Sequence, residues 1–239
     1  MTHRALVFGA TGYTGNALVP LFAQHPASEV WAHIRTGSPS RARVEPAFSK
    51  AGAHIEECAF DEAEIAALVA KVKPTVVFGL LGITRSGAAR EEKRTGHRPD
   101  YEQVDYGYTH MVLEACREHA PKARFVYLSS TGISDKEPSN AYMHARWRME
   151  RALISSGQPW TIARPSFISG DNREESRPME RAAASVTKVL AGALKSVGIS
   201  SVADAWAPMT NHELANALLE SALDPAAEGQ ILQAEALRS

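Results

Sequence analysis

RALVFGATGYTG, residues 4–15, is the stretch that decides the fold. Its first half, RALVFG at 4–9, is a short apolar run ending in glycine, the pattern of a buried strand. Its second half, GATGYTG at 9–15, spaces Gly9, Gly12 and Gly15 three residues apart, and a helical stretch follows to about His25. Each glycine has a task where a strand turns straight into a helix around a diphosphate. Gly9 allows a tight turn, Gly12 lets the backbone approach the phosphates, and Gly15 lets the helix pack closely on the strand. The helix N-terminus adds free N–H groups and a positive dipole end. No Lys-Ser or Lys-Thr follows the last glycine, so this is not a Walker-type loop. The alternative is an ordinary turn that happens to hold glycines. The preceding strand and the following helix favour dinucleotide binding.

Outward from that turn, strand and helix alternate. Strands are predicted over 29–35, 53–58, 75–82, 124–130 and 159–165. Helices are predicted over 40–51, 61–71, 101–119 and 140–156. The strands are continuous apolar runs, which describe a parallel sheet covered on both faces. The fold class is therefore α/β, a Rossmann-type doubly wound parallel sheet in one domain over 1–239, with about 165–239 as a small irregular substrate-side region. That last part is less periodic, with helices expected near 179–194 and 210–223 and a short strand near 230–234. Two polar stretches, 83–100 and 169–178, break the rhythm, and each follows the carboxyl end of a strand, where open α/β sheets bind ligands. The first carries Arg85, Arg90, Lys93, Arg94 and Arg98 and reads as a solvated, mobile loop; a lid over the substrate is the alternative.

Composition narrows the function. The 239 residues carry 26 Lys and Arg against 27 Asp and Glu, a net charge of −1, so no global field favours nucleic acid or an anionic membrane. No aromatic residue interleaves the basic stretch for base stacking, and Glu91 and Glu92 lie within it. Cys58 and Cys116 make no disulfide framework, which fits a reducing compartment and a cytoplasmic location. No apolar run approaches a membrane span, and the N-terminus has no signal-peptide profile. The nine histidines are scattered without an HExxH pair, so no metal is expected. The absence of GxSxG argues against an α/β-hydrolase. The expected partner is a small-molecule substrate. Residues 101–119 and 140–156 could also pair helices in a homodimer or with a protein partner, or simply bury a core face.

The end of the second strand selects the cofactor. NAD sites usually place Asp or Glu there, on the ribose 2′-hydroxyl. Here the position holds Arg35, and no acid lies between Val30 and Arg43. A guanidinium takes a 2′-phosphate bidentately, so NADP(H) is the expected cofactor, with Arg41 and Arg43 nearby. A solvated strand-end charge is the alternative. Asp61 reads equally as an adenine contact or as the N-cap of its helix.

Tyr142 and Arg146 stand four apart on a predicted helix and share a face, while the preceding strand ends in Ser129, Ser130 and Thr131. A cation beside a tyrosine stabilises its phenolate, which suits proton exchange with a substrate oxygen. Ser130 or Thr131 could hold that oxygen. A Tyr–Arg pair on a helix surface is the ordinary alternative.

With these residues in view, the chain resembles the atypical short-chain dehydrogenases/reductases. Within them it resembles the Tat-interacting-oxidoreductase-like, NADPH-binding group. The carrying segments are GATGYTG at 9–15, LLGITR at 80–85, QVDYGYTHMVLEAC at 103–116, FVYLSSTG at 125–132, YMHAR at 142–146 and RPSFISGDNREESRP at 164–178. The resemblance implies bound NADPH and a serine, tyrosine and lysine active site. It places Gly9, Thr11, Gly12, Tyr13, Thr14, Gly15 and Arg35 in the cofactor loop and phosphate reader. Leu80, Leu81 and Gly82 would pass the nicotinamide-side ribose, Ser129, Ser130 and Tyr142 would form the active site, and Arg164 and Pro165 would close over the nicotinamide. One departure stands out: the family's YxxxK is YxxxR here, at Arg146. Arginine can steady a phenolate and bond ribose, but it does not release a proton at working pH. Two readings follow: a reductase acting on a carbonyl or activated double bond, or a non-catalytic NADP(H) sensor acting through a protein partner. A Rossmann domain that binds no nucleotide is a third.

Overall fold

The computed structural model describes residues 2–166, Ile168 and 208–238. β1 (His3–Phe8) sets the plan, with Ala5 and Val7 on one face and Leu6 and Phe8 on the other, all fully buried. Alternation with both faces apolar requires a layer on each side. Around β1 lie α1 (Tyr13–Gln24), β2 (Ser28–Arg35), α2 (Arg41–Ala51), β3 (His54–Cys58), α3 (Glu62–Val72) and β4 (Val76–Gly79). The other half contains α4 (Arg85–Thr95), α5 (Thr109–His119), β5 (Arg124–Leu128), α6 (Ala141–Ser155), β6 (Trp160–Arg164), α7 (Asn211–Leu223) and β7 (Gln230–Gln233). The seven strands form one sheet in the order β3-β2-β1-β4-β5-β6-β7, parallel throughout. Direction across the sheet reverses between β1 and β4, which puts the switch-point crevice at their carboxyl ends.

Leu18 and Phe22 of α1 pack with Leu214 and Leu218 of α7 on one face. Ile65 and Val69 of α3, Leu113 of α5 and Met149 of α6 cover the other. The predicted elements fall within a few residues of those observed. The helix expected near 179–194 and the polar stretch 169–178 lie outside the described residues.

Two expectations are corrected. Residues 85–95 form α4 rather than an irregular loop. It buries only Ala88, so no apolar periodicity announces it; Thr84 caps its start and Gly96, at φ +78°, ends it. The single helix expected over 101–119 begins as a π-helix, Glu102–Tyr108, and only then becomes α5.

His33 on β2 is buried, with Nε2 3.1 Å from the Cys58 carbonyl and its ring 4.9 Å from the rings of Phe8 and Phe60. Burial pulls the imidazole down to about 4 from its ordinary 6.5, against the Cys58 hydrogen bond. Below pH 6.5 the unfolded chain takes up a proton that the folded chain refuses, so stability falls with pH through the 6.5-to-4 window. Denaturant unfolding should show a loss of about 2 kcal/mol between pH 7 and pH 5 that is missing in His33→Phe. Parallel pH curves for the two proteins would rule this out.

Candidate functional site

Gly9 turns at φ +86°, and a Cβ there would lie 2.6 Å from the Leu80 carbonyl oxygen. A Cβ at Gly15 would meet the Gly9 carbonyl and would stand 2.7 Å from the Ala10 Cα. Both glycines are thus fixed by packing between β1, α1 and the end of β4. Gly12 is different: it is exposed, and an added Cβ would meet only the Gly9 carbonyl oxygen, at 3.1 Å. Gly12 is also the N-cap of α1, so the N-cap residue brings no side chain to that helix end. An open N-terminus over an exposed glycine fits a diphosphate. Thr11 and Tyr13 are half-buried and Thr14 is buried in the same turn. The Thr11 carbonyl accepts a hydrogen bond from Arg43 Nη2 at 2.9 Å, which ties α2 to the turn.

Arg35 stands at the carboxyl end of β2, as expected. Its Nη1 meets Glu91 Oε1 of α4 at 2.8 Å. Glu91 also takes two hydrogen bonds from Arg94, at 2.6 and 3.2 Å. Arg94 and Arg35 together hold the Glu91 carboxyl down at about 2. Arg41, the other arginine near that strand end, is taken up by Glu45 and Glu57. Asp61 is the N-cap of α3, accepting from the Ala63 and Glu64 N–H groups at 3.0 and 3.2 Å.

At the other end of the crevice the buried Arg146 knits the strands together. Nη1 donates to the Leu128 carbonyl, Nη2 donates to the Leu81 carbonyl at 3.1 Å, and Nη2 lies 2.8 Å from Asp105 Oδ1. Asp105 comes from the π-helix and is fully buried; its other oxygen accepts the Ile83 N–H at 3.0 Å. Burial lifts the Asp105 carboxyl above the ordinary range, opposed by Arg146 and that N–H. Gly82 is needed for this packing, since a Cβ there would sit 2.5 Å from Arg146 Nη2. Leu80 and Leu81 bury their side chains beneath it. The guanidinium sits 5.4 Å from the centre of the Tyr142 ring, so the expected Tyr–Arg pairing is present as a cation–π contact. The fork expected to anchor a ribose is engaged with backbone carbonyls and Asp105.

Ser129 and Arg164 meet through a residue the sequence did not single out. Ser129 Oγ donates to Glu150 Oε1 at 2.5 Å, and Arg164 grips both Glu150 oxygens at 3.0 and 2.6 Å. Ser129 and Glu150 are buried, so this cluster braces β5, α6 and β6. Glu150 lies four residues after Arg146 on α6, and that spacing was the available signal. Ser130 and Thr131 stay half-buried, with Ser130 Oγ on the Thr131 carbonyl at 3.3 Å and the Thr131 N–H on the Pro165 carbonyl at 3.1 Å. Tyr101 packs edge-on against Tyr142, centroids 5.4 Å apart, and also lines a cavity of about 170 Å³ with Ile83, Arg85, Ala88 and Pro99. No group of three or more metal-binding side chains occurs among the described residues.

A family model described as NAD(P)H-binding matches residues 9–213, which takes in the glycine turn, the crevice and the start of α7. The chain belongs to the NAD(P)H-binding family. This NAD(P)H-binding protein is 30% identical over 207 residues to protein fmp52-1, mitochondrial, of Aspergillus terreus, covering 84% of this chain and 79% of that one. It is also 30% identical over 210 residues to protein fmp52, mitochondrial, of Aspergillus fumigatus, covering 87% and 81%. Its fold matches a UDP-Glc/GlcNAc 4-epimerase from Campylobacter jejuni, with TM-score 0.65 and 12% identity over 99% of this chain and 82% of that one. It matches AtPrR2 with NADP+ and (+)pinoresinol, with TM-score 0.62 and 16% identity over 97% and 69%. At such identities these structures speak for the fold alone. The relatives correct the cytoplasmic expectation, because they are named as mitochondrial proteins. Cys58 and Cys116, which are free thiols, do not by themselves choose a compartment.

Proposed function

We propose that this protein is an NADP(H)-dependent oxidoreductase acting on a carbonyl or activated double bond of a small molecule, in a mitochondrial setting like its relatives. The observation that carries the reading is an arginine, not an acid, at the end of β2, beside a glycine turn whose Gly12 is the N-cap of α1. In this reading the Gly12–Gly15 backbone holds the diphosphate, and Arg35 with Arg43 takes the 2′-phosphate. A bound reduced nicotinamide would supply the hydride. Tyr142 gives the proton to the substrate oxygen, steadied by the cation over its ring. Ser130 or Thr131 donates a second hydrogen bond to that oxygen. The cavity beside Tyr101 offers room for part of the substrate's body. Arg146 takes no part in proton transfer: its guanidinium is buried and bonded to two carbonyls and Asp105. That commitment favours a second reading, an NADP(H) sensor without turnover, which keeps the same cofactor site.

Thermal unfolding with NADPH, NADH or no nucleotide tests the cofactor reading. A ligand at a hundred times its dissociation constant stabilises by about 2.7 kcal/mol. NADPH should raise the midpoint well above NADH, and Arg35→Ala should remove most of the difference. No shift with either nucleotide would overturn both readings. Oxidation of NADPH across a carbonyl panel then separates enzyme from sensor.

A further inference from the structure

The path of α4 exposes a competition at the adenosine end. α4 begins just after β4, and its Glu91 reaches Arg35 at the end of β2. β1, with the glycine turn at its carboxyl end, lies between those two strands. The six residue steps from Arg85 to Glu91 advance the helix about 9 Å. Two strand spacings are about 9.6 Å. α4 therefore crosses the mouth of the switch-point crevice, fastened on the far side by the Arg35–Glu91 pair. The fastening is specific: the Glu91 side chain is only 14% exposed and is held by both Arg35 and Arg94.

Building on the NADP(H) reading, we propose that Glu91 is a specificity-determining residue, a carboxylate that occupies Arg35 until a nucleotide 2′-phosphate displaces it and frees α4 from the crevice. The chemistry is an exchange of anions on one guanidinium. A 2′-phosphate carries more charge than a carboxylate and matches the same fork. An unphosphorylated ribose offers only hydroxyls and leaves the pair closed. α4 also supplies Arg85 and Ala88 to the cavity beside Tyr101, so the exchange links cofactor choice to the shape of that cavity.

The test is a pair of affinities in the full chain, wild type against Glu91→Gln, for NADPH and for NADH. Near a protein surface, one unit charge within about 10 Å of another changes an affinity by about tenfold. Glu91→Gln should bind NADPH about tenfold more tightly and NADH within about twofold of wild type. Trypsin supplies the second readout, through Arg90, Lys93 and Arg94 of α4. Adenosine 2′,5′-bisphosphate should speed cleavage there, and AMP should not. Unchanged or weakened NADPH binding in Glu91→Gln would overturn the proposal, the weakened case making Glu91 an organiser of Arg35. Equal tightening for both dinucleotides would overturn the 2′-phosphate specificity, and bisphosphate-independent cleavage would overturn the release of α4. Absence of binding by either dinucleotide, in wild type and variant alike, would overturn the cofactor reading along with it.

Discussion

Arg146→Met should lower unfolding stability by about 3–5 kcal/mol, the range for removing one partner of a buried ion pair. Several losses combine. Asp105 is fully buried and would keep only the Ile83 N–H as a partner. The Leu81 and Leu128 carbonyls would lose their donor at the ends of β4 and β5. The deficit also has a sign in pH. Burial already lifts the Asp105 carboxyl, and losing the cation lifts it further. A raised carboxyl favours the folded state below its unfolded pKa of 3.8, and that advantage is lost as pH rises through the folded value. The gap between variant and wild type should therefore narrow toward pH 4. Arg146→Met with Asp105→Asn should recover a large part of it, because the amide oxygen still accepts the Ile83 N–H and no charge is stranded. Urea unfolding at two pH values measures both effects. A single variant within 1 kcal/mol of wild type would show that the pair contributes no net stability.

Tyr142→Phe should reduce turnover by about 10²–10⁴-fold, the usual contribution of a positioned acid. NADPH affinity should change only a few-fold, because the substitution removes one oxygen and leaves the glycine turn and Arg35 alone. The Phe ring retains the contact with Tyr101 and the face below Arg146. A rate loss without a stability loss would then mark the hydroxyl itself. NADPH oxidation on a responsive carbonyl, followed with nucleotide titration by fluorescence, separates the two quantities. Turnover equal to wild type would remove Tyr142 from the chemistry.

The sheet was legible because β1 and its neighbours are apolar on both faces, a pattern few other architectures tolerate. The cofactor turn was legible because Gly9 and Gly15 have no room for a side chain and Gly12 has no need of one. α4 was not, since its residues form no apolar face. Its helicity rests on end caps and on charges whose partner, Arg35, lies 56 residues earlier. Thr84, Gly96 and the i,i+3 spacing of Glu91 and Arg94 were the local clues. Arg146 was visible as a cation near Tyr142, whereas its destination was not. Hydrogen bonds to the Leu81 and Leu128 carbonyls depend on which strands adjoin, and pairing of β4 with β5 is a property of the sheet. Glu150 escaped notice for the same reason, because its partners come from two different strands.

The π-helix at Glu102–Tyr108 acts as a phase shifter. In an α-helix each residue advances the side chains by about 100°. A wider turn takes up an extra residue without lengthening the helix in proportion. Upstream of it, Tyr101 reaches the cavity and Tyr142; downstream, Val112, Leu113 and Cys116 of α5 remain in the core. A uniform helix would have one angular setting for both tasks. With the wide turn between them, the core fixes the orientation of α5 while the end facing the crevice keeps a setting of its own. Altering the number of residues in that turn would rotate Tyr101 and Asp105 against a stationary core, re-aiming the cavity wall without rebuilding the sheet.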